Sequence, residues 1–109
     1  MQEKYDKYTI IVSERVDKRL TTHARFLAKV SIESAMRLIQ EFETAVKSLE
    51  TLPERNSYFS AFTSKPRKYR KLLIAKRYLL VYQIKDNIVY IDEMFDCRQN
   101  FKFAWLLEE

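Results

Sequence analysis

Nine lysines and arginines stand between positions 55 and 85 with no acid among them: Arg55, Lys65, Arg67, Lys68, Arg70, Lys71, Lys76, Arg77 and Lys85. Tyr58, Tyr69, Tyr78 and Tyr82 are interleaved with these cations. Cations that neutralise phosphates, beside aromatic faces that stack on bases, make the chemistry of a single-stranded nucleic-acid surface. The same run serves equally as a solvated face or as the contact surface for an acidic protein. Lys65, Arg67, Lys68, Lys71 and Arg77 are the candidates for gripping phosphate or a target. The local field exceeds what the net charge of +5 indicates, because positions 1–54 are balanced at nine basic and nine acidic side chains and positions 86–109 hold two basic and six acidic.

Groups able to move a proton or attack an electrophile are few. His23 is the single histidine; it lies beside Ala24 in a helical pattern, remote in sequence from the basic run, and reads as structural. Cys97 follows Asp96, whose charge raises a thiol pKa, so packing is the better role for it. One histidine and one cysteine supply no paired-His metal site, zinc cluster or disulfide, and no metal or cofactor is expected. The chain has no glycine, which excludes the P-loop, the Rossmann fingerprint, the nucleophile elbow and the EF-hand loop, all of which need backbone conformations that only glycine reaches cheaply. Any phosphate must be handled by side chains. The charged opening residues and the lack of an apolar stretch near 20 residues predict a cytoplasmic protein that does not span a membrane.

The elements that must position these side chains follow from pattern. Tyr8–Val12 reads as a β-branched strand, and Ser13 as the N-cap of a helix with Val16, Leu20, Ala24 and Leu27 on one stripe. Ser31 caps a second helix whose apolar positions Ala35, Leu38, Ile39, Phe42, Val46 and Leu49 recur until Leu52-Pro53 stops it. A loop with a helical turn near Tyr58–Phe62 is expected next. Strands over Tyr69–Ile74, Tyr78–Lys85 and Ile88–Phe95 follow, the last two joined at Asp86-Asn87, where positive φ is expected. Consecutive apolar residues in this meander predict a sheet covered at least in part on both faces. Phe101, Ala104 and Trp105 share a helical face, which predicts a short helix within Arg98–Leu107. The chain is a single α+β domain over 1–109: an N-terminal strand, an α-helical hairpin packed on a mainly antiparallel sheet, and a short C-terminal helix.

This layout resembles the RelE/ParE superfamily of toxins from bacterial type II toxin–antitoxin systems, over nearly the whole chain. The resemblance rests on Leu49-Glu-Thr-Leu-Pro-Glu54 closing the hairpin, on Tyr69-Arg-Lys-Leu-Leu-Ile74 leading into Arg77-Tyr-Leu-Leu-Val-Tyr82, and on Val89-Tyr-Ile-Asp92 leading into Asp96-Cys-Arg-Gln-Asn-Phe101. It implies a basic toxin of the plasmid stabilisation type, wrapped and neutralised by a cognate antitoxin. Arg70 and Arg98 are carried over as the catalytic or toxicity residues, near one concave surface of the sheet; their competing role is to pair with Asp92, Glu93 or Asp96. Phe101 and Trp105 either pack on the sheet or line the antitoxin groove. RelE-type members cleave mRNA on the ribosome, and ParE-type members act on DNA gyrase. Cleavage by attack of a 2′-hydroxyl needs a base, an acid and cations, and arginines meet only the last need. Where ribonuclease members place His or Tyr after the final strand, this chain has Gln99, Asn100 and Phe101. The resemblance therefore favours a ParE-like growth inhibitor, with a ribosome-dependent endoribonuclease, or an inactive relative that binds only antitoxin or RNA, as the alternatives.

Overall fold

Ser13 and Ser31 start the two helices as their side chains predict. The computed structural model describes residues 7–59 and 67–98. Strand β1 (Thr9–Val12) leads into helix α1 (Glu14–Ala28), whose N-cap Ser13 accepts from the Val16 N–H at 3.1 Å. Helix α2 (Ile32–Leu49) begins after Ser31, which accepts from the Ser34 N–H at 3.2 Å. Each cap satisfies one amide that the first turn leaves orphaned. Leu38, Phe42, Ala45 and Leu49 form the buried stripe of α2. Ile39, expected in the core, is exposed, because it lies one residue, about 100°, around the helix from Leu38.

Pro53 ends the helical run but also opens a single 3-10 turn, Pro53–Arg55, with proline at its first position. Of the expected helical turn near Tyr58–Phe62, positions 60–62 lie outside the described residues. Tyr58 makes an antiparallel bridge with Arg70, and Phe59 is fully buried. Strands β2 (Arg70–Ile74), β3 (Tyr78–Lys85) and β4 (Ile88–Asp96) form an antiparallel meander. The sheet order is β1-β4-β3-β2, with β1 parallel to β4. The sheet is thus mixed, mainly antiparallel. Asp86 has the expected positive φ of 57°, while Asn87 does not share it. Lys65, Phe101, Trp105 and the expected helix beyond Arg98 lie outside the described residues.

Alternation along β3 divides two cores. Tyr78, Leu80 and Tyr82 face the helices with Leu38, Phe42, Leu49, Ile91 and Met94. Leu79 and Val81 face the other way and are covered by Phe59, Phe95 and Cys97. Each large side chain buried this way contributes about 1.5–3 kcal/mol. The pairing shifts between Val81, opposite Glu93, and Tyr82, opposite Ile91, so Asp92 is an extra residue bulged out of β4. Among the described residues no helix is long and apolar enough to cross a membrane.

Candidate functional site

The basic run is laid along β2 and the start of β3, and register decides which cations meet. Arg70 lies opposite Tyr82, and Tyr82 lies opposite Ile91; Asp96, two residues before Arg98, lies opposite Tyr78. Four residues of β3, about 13 Å at strand rise, separate those levels. Arg70 is therefore paired at the middle of β3 and Arg98 lies beyond its Tyr78 end, so the structure sets the two arginines apart rather than side by side.

Arg70 has its own work. Its Nη1 donates to the carbonyls of Asn56 at 2.6 Å and Glu54 at 3.0 Å, and its guanidinium lies 4.0 Å from the Tyr58 ring centre. Tyr82 braces the same loop from below, donating its hydroxyl to the Pro53 carbonyl at 2.6 Å and accepting from Asn56 Nδ2 at 3.0 Å. Burial pushes the Tyr82 phenol above its ordinary pKa. Of the four interleaved tyrosines, Tyr78 and Tyr82 are core, while Tyr58 and Tyr69 reach the surface.

Of the candidate target-binding cations, Arg67 and Lys68 are exposed and Lys71 is partly buried; Arg55, Lys76 and Lys85 of the same run are exposed as well. Lys68 Nζ lies 5.4 Å from the Tyr69 ring centre, and Lys71 Nζ lies 5.5 Å from that of Phe59. Next to them is a cavity of about 810 Å³ between Tyr69, Asp92 and the start of α1, where Arg15, Lys18 and Arg19 line it. Gln83 Nε2 donates to Asp92 Oδ2 at 2.7 Å and to the Tyr69 hydroxyl at 3.4 Å. Desolvation, reinforced by Asp92, raises the Tyr69 pKa and keeps its proton in place. The arrangement offers cations, a phenol donor and aromatic faces, which is equipment for binding an anionic surface.

The acids of β4 find partners that sequence proximity did not indicate. Glu93, 7% exposed, takes Arg15 at 3.0 Å and Arg19 at 2.8 Å, both from α1. Asp96, 1% exposed, takes Arg77 Nη2 at 3.1 Å and the Arg98 N–H at 3.0 Å. Arg77, expected on the target surface, is thereby held largely inside, its cation favoured further by the Asp96 hydrogen bond. The arginines of α1 escaped the sequence reading because the first half of the chain is charge-balanced. Two consecutive acids in an otherwise apolar strand were the available signal, since each must find a cation or water.

The two candidate proton-transfer groups behave as structure. His23 packs its ring 5.0 Å from that of Tyr78, and burial lowers its pKa. Cys97 is buried, and burial together with Asp96 raises its pKa. Among the described residues no group of three His, Cys, Asp or Glu side chains is placed to hold a metal ion.

A two-helix hairpin over a four-stranded sheet whose first strand pairs parallel with its last, carrying a basic face and buried carboxylates paired with arginines, defines a class of small α+β proteins. A chain of the chromosomal ParDE toxin–antitoxin system from P. aeruginosa shares the fold with a TM-score of 0.65, at 13% identity, covering 82% of this chain and 95% of its own length. The model of the family described as ParE toxin of type II toxin–antitoxin system, parDE, matches residues 10–101, and the chain belongs to that family. It is a type II toxin, and its class partner is an antitoxin. No sequence match is found among curated proteins.

Proposed function

We propose that the chain acts in the cytoplasm, as one domain over 1–109, by binding and stalling DNA gyrase, and that a cognate antitoxin covers the same basic face. Family membership supports this reading, and one geometric observation carries it: the two arginines that the resemblance singles out, Arg70 and Arg98, lie apart rather than around one point. Arg70 is committed to two main-chain carbonyls and Arg98 lies beyond the Tyr78 end of β3. Cations set apart suit an extended docking surface, whereas phosphodiester cleavage needs an acid, a base and cations around a single phosphorus. In this reading Lys65, Arg67, Lys68 and Lys71 contact the target, Arg70 shapes the loop beside them, Arg98 adds a cation beyond the Tyr78 end of β3, and Phe101 and Trp105 belong to the antitoxin groove.

The test is expression of the full chain with and without the antitoxin encoded beside it, followed by a supercoiling assay and primer extension on cellular mRNA. Growth arrest relieved by the antitoxin, loss of supercoiling and intact transcripts are expected. Transcripts cut at defined positions with supercoiling unaffected would overturn the gyrase reading in favour of ribosome-dependent cleavage.

A further inference from the structure

At the end of the molecule away from the Tyr58 loop, the tip of the helical hairpin meets the β2–β3 turn and the end of β4 around a cavity of about 250 Å³. Its polar lining comes from three directions: Ser34 and Arg37 from the first turns of α2, Arg77 and Tyr78 from the start of β3, and Arg98 from the end of β4. Leu27 and Leu38 supply apolar wall. Three arginines thus surround a small space, and Asp96 offsets one of them. Both Asp96 oxygens are already occupied, Oδ2 by Arg77 and Oδ1 by the Arg98 N–H. Glu41 lines the neighbouring cavity and accepts the Ala75 N–H at 2.6 Å, and Glu33 lies exposed in the first turn of α2 beside Ser34.

Among the described residues, two donors in this wall have no acceptor. The Tyr78 hydroxyl and Arg77 Nε are buried without a hydrogen-bond partner, and Tyr78 is 1% exposed. Native proteins seldom leave such groups unpaired, because each gives up its hydration without return. Burial raises the Tyr78 pKa, so the phenol keeps its proton and remains a donor. Unpaired buried donors ringed by cations are complementary to an anion with several acceptor oxygens. The donors arrive from three elements, an arrangement that suits a tetrahedral anion with several acceptor oxygens. A volume below the roughly 300–1,000 Å³ of ordinary ligand pockets fits a phosphate with little attached inside the cavity.

The geometry points to a phosphate-binding site in this cavity, formed by Arg37, Arg77, Arg98, Ser34 and Tyr78. The site does not depend on gyrase being the target. Its phosphate comes either from a terminal phosphate or from the backbone of a nucleic acid, and the test separates the two.

The purified full chain is titrated with inorganic phosphate, with a short single-stranded DNA bearing a 5′-phosphate, and with the same DNA lacking it, at constant ionic strength, while thermal unfolding and binding heat are followed. Phosphate is expected to raise Tm. Tighter binding of the phosphorylated strand than of its unphosphorylated twin assigns the site to terminal phosphates; equal binding of both, tighter than inorganic phosphate, assigns it to the backbone. Arg37→Gln is expected to weaken binding by about tenfold, the loss of one charge-assisted contact, and Arg37→Lys to recover part of it. Tyr78→Phe provides the decisive sign. It removes a hydroxyl with no partner, so the free chain keeps or gains Tm while its response to phosphate shrinks. A Tm response that is absent, or that is identical in wild type, Arg37→Gln and Tyr78→Phe, overturns the proposal. So does a Tyr78→Phe chain that loses stability while binding phosphate as before.

Discussion

Arg70 and Arg98 carry the same charge and do different physical work. Arg70 donates from one nitrogen, Nη1, to two carbonyls while its guanidinium lies over a ring, a combination that lysine's point charge does not reproduce. Arg70→Lys is expected to cost about 1–2 kcal/mol in urea unfolding, since hydrogen bonds to charged groups contribute about 1.5–3 kcal/mol and part of this site is exposed. Arg98 is exposed and bonds through its main-chain N–H, so Arg98→Lys is expected to stay within about 0.5 kcal/mol. His23 makes a second residue-scale prediction. Its pKa is lowered from 6.5 in the fold, mainly by burial, so the unfolded chain binds the proton more readily. Stability is then full above pH 6.5 and falls as the pH drops from 6.5 towards the folded value. Replacement by glutamine is expected to flatten the acid side of the stability profile, measured by chemical unfolding at a series of pH values. The structural roles of His23 and Cys97 were legible from their neighbours in sequence. The partners of Glu93 were not, because they depend on how α1 docks against the bulge at Asp92.

At the scale of elements, both helix starts and the three meander strands were legible because capping and alternation are local properties. The β2–β3 turn was not. Ala75 and Lys76 both adopt left-handed backbone, with φ of 50° and 59°, where sequence reasoning looks for glycine or asparagine. The glycine-free chain spends conformational energy there, about 1–2 kcal/mol per residue by backbone sterics. The Glu41 carboxylate holds the turn from α2 through the Ala75 N–H. Lys76→Gly is accordingly expected to stabilise the fold by about 0.5–1 kcal/mol, the gain in backbone freedom partly cancelled by the looser unfolded chain. Glu41→Gln is expected to lose about 1 kcal/mol as the charge-assisted contact weakens. Denaturant midpoints of the two variants, moving in opposite directions, check both.

Across the whole molecule, the two acids buried among the described residues, Glu93 and Asp96, both lie on β4, while Glu14, Asp17, Glu33, Glu43, Glu54 and Asp86 are exposed like most of the cations. Glu93 and Asp96 are buried against arginines, while Arg67 and Lys68 stay in water. The sequence showed the excess of cations between Arg55 and Lys85 but not its division, since register sends Arg77 inward and leaves Arg67 outside. The double variant Arg67→Glu/Lys68→Glu is expected to relieve growth arrest while leaving stability within about 0.5 kcal/mol, because both sites are exposed. Plating efficiency and thermal unfolding of the same variant check the two halves. The parallel pairing of β1 with β4 has a consequence in time. Ser13 Oγ reaches the Asp92 carbonyl 79 positions further along the chain, so the first strand waits for the last. At about 5–20 residues per second, a translating ribosome imposes a delay of roughly 4–16 s between making β1 and making its neighbour. Through that interval the nascent chain lacks a closed sheet, and poison and assembly arrive together. A chain arrested on the ribosome before β4 emerges is expected to be cut rapidly by protease, and one arrested well after it to resist.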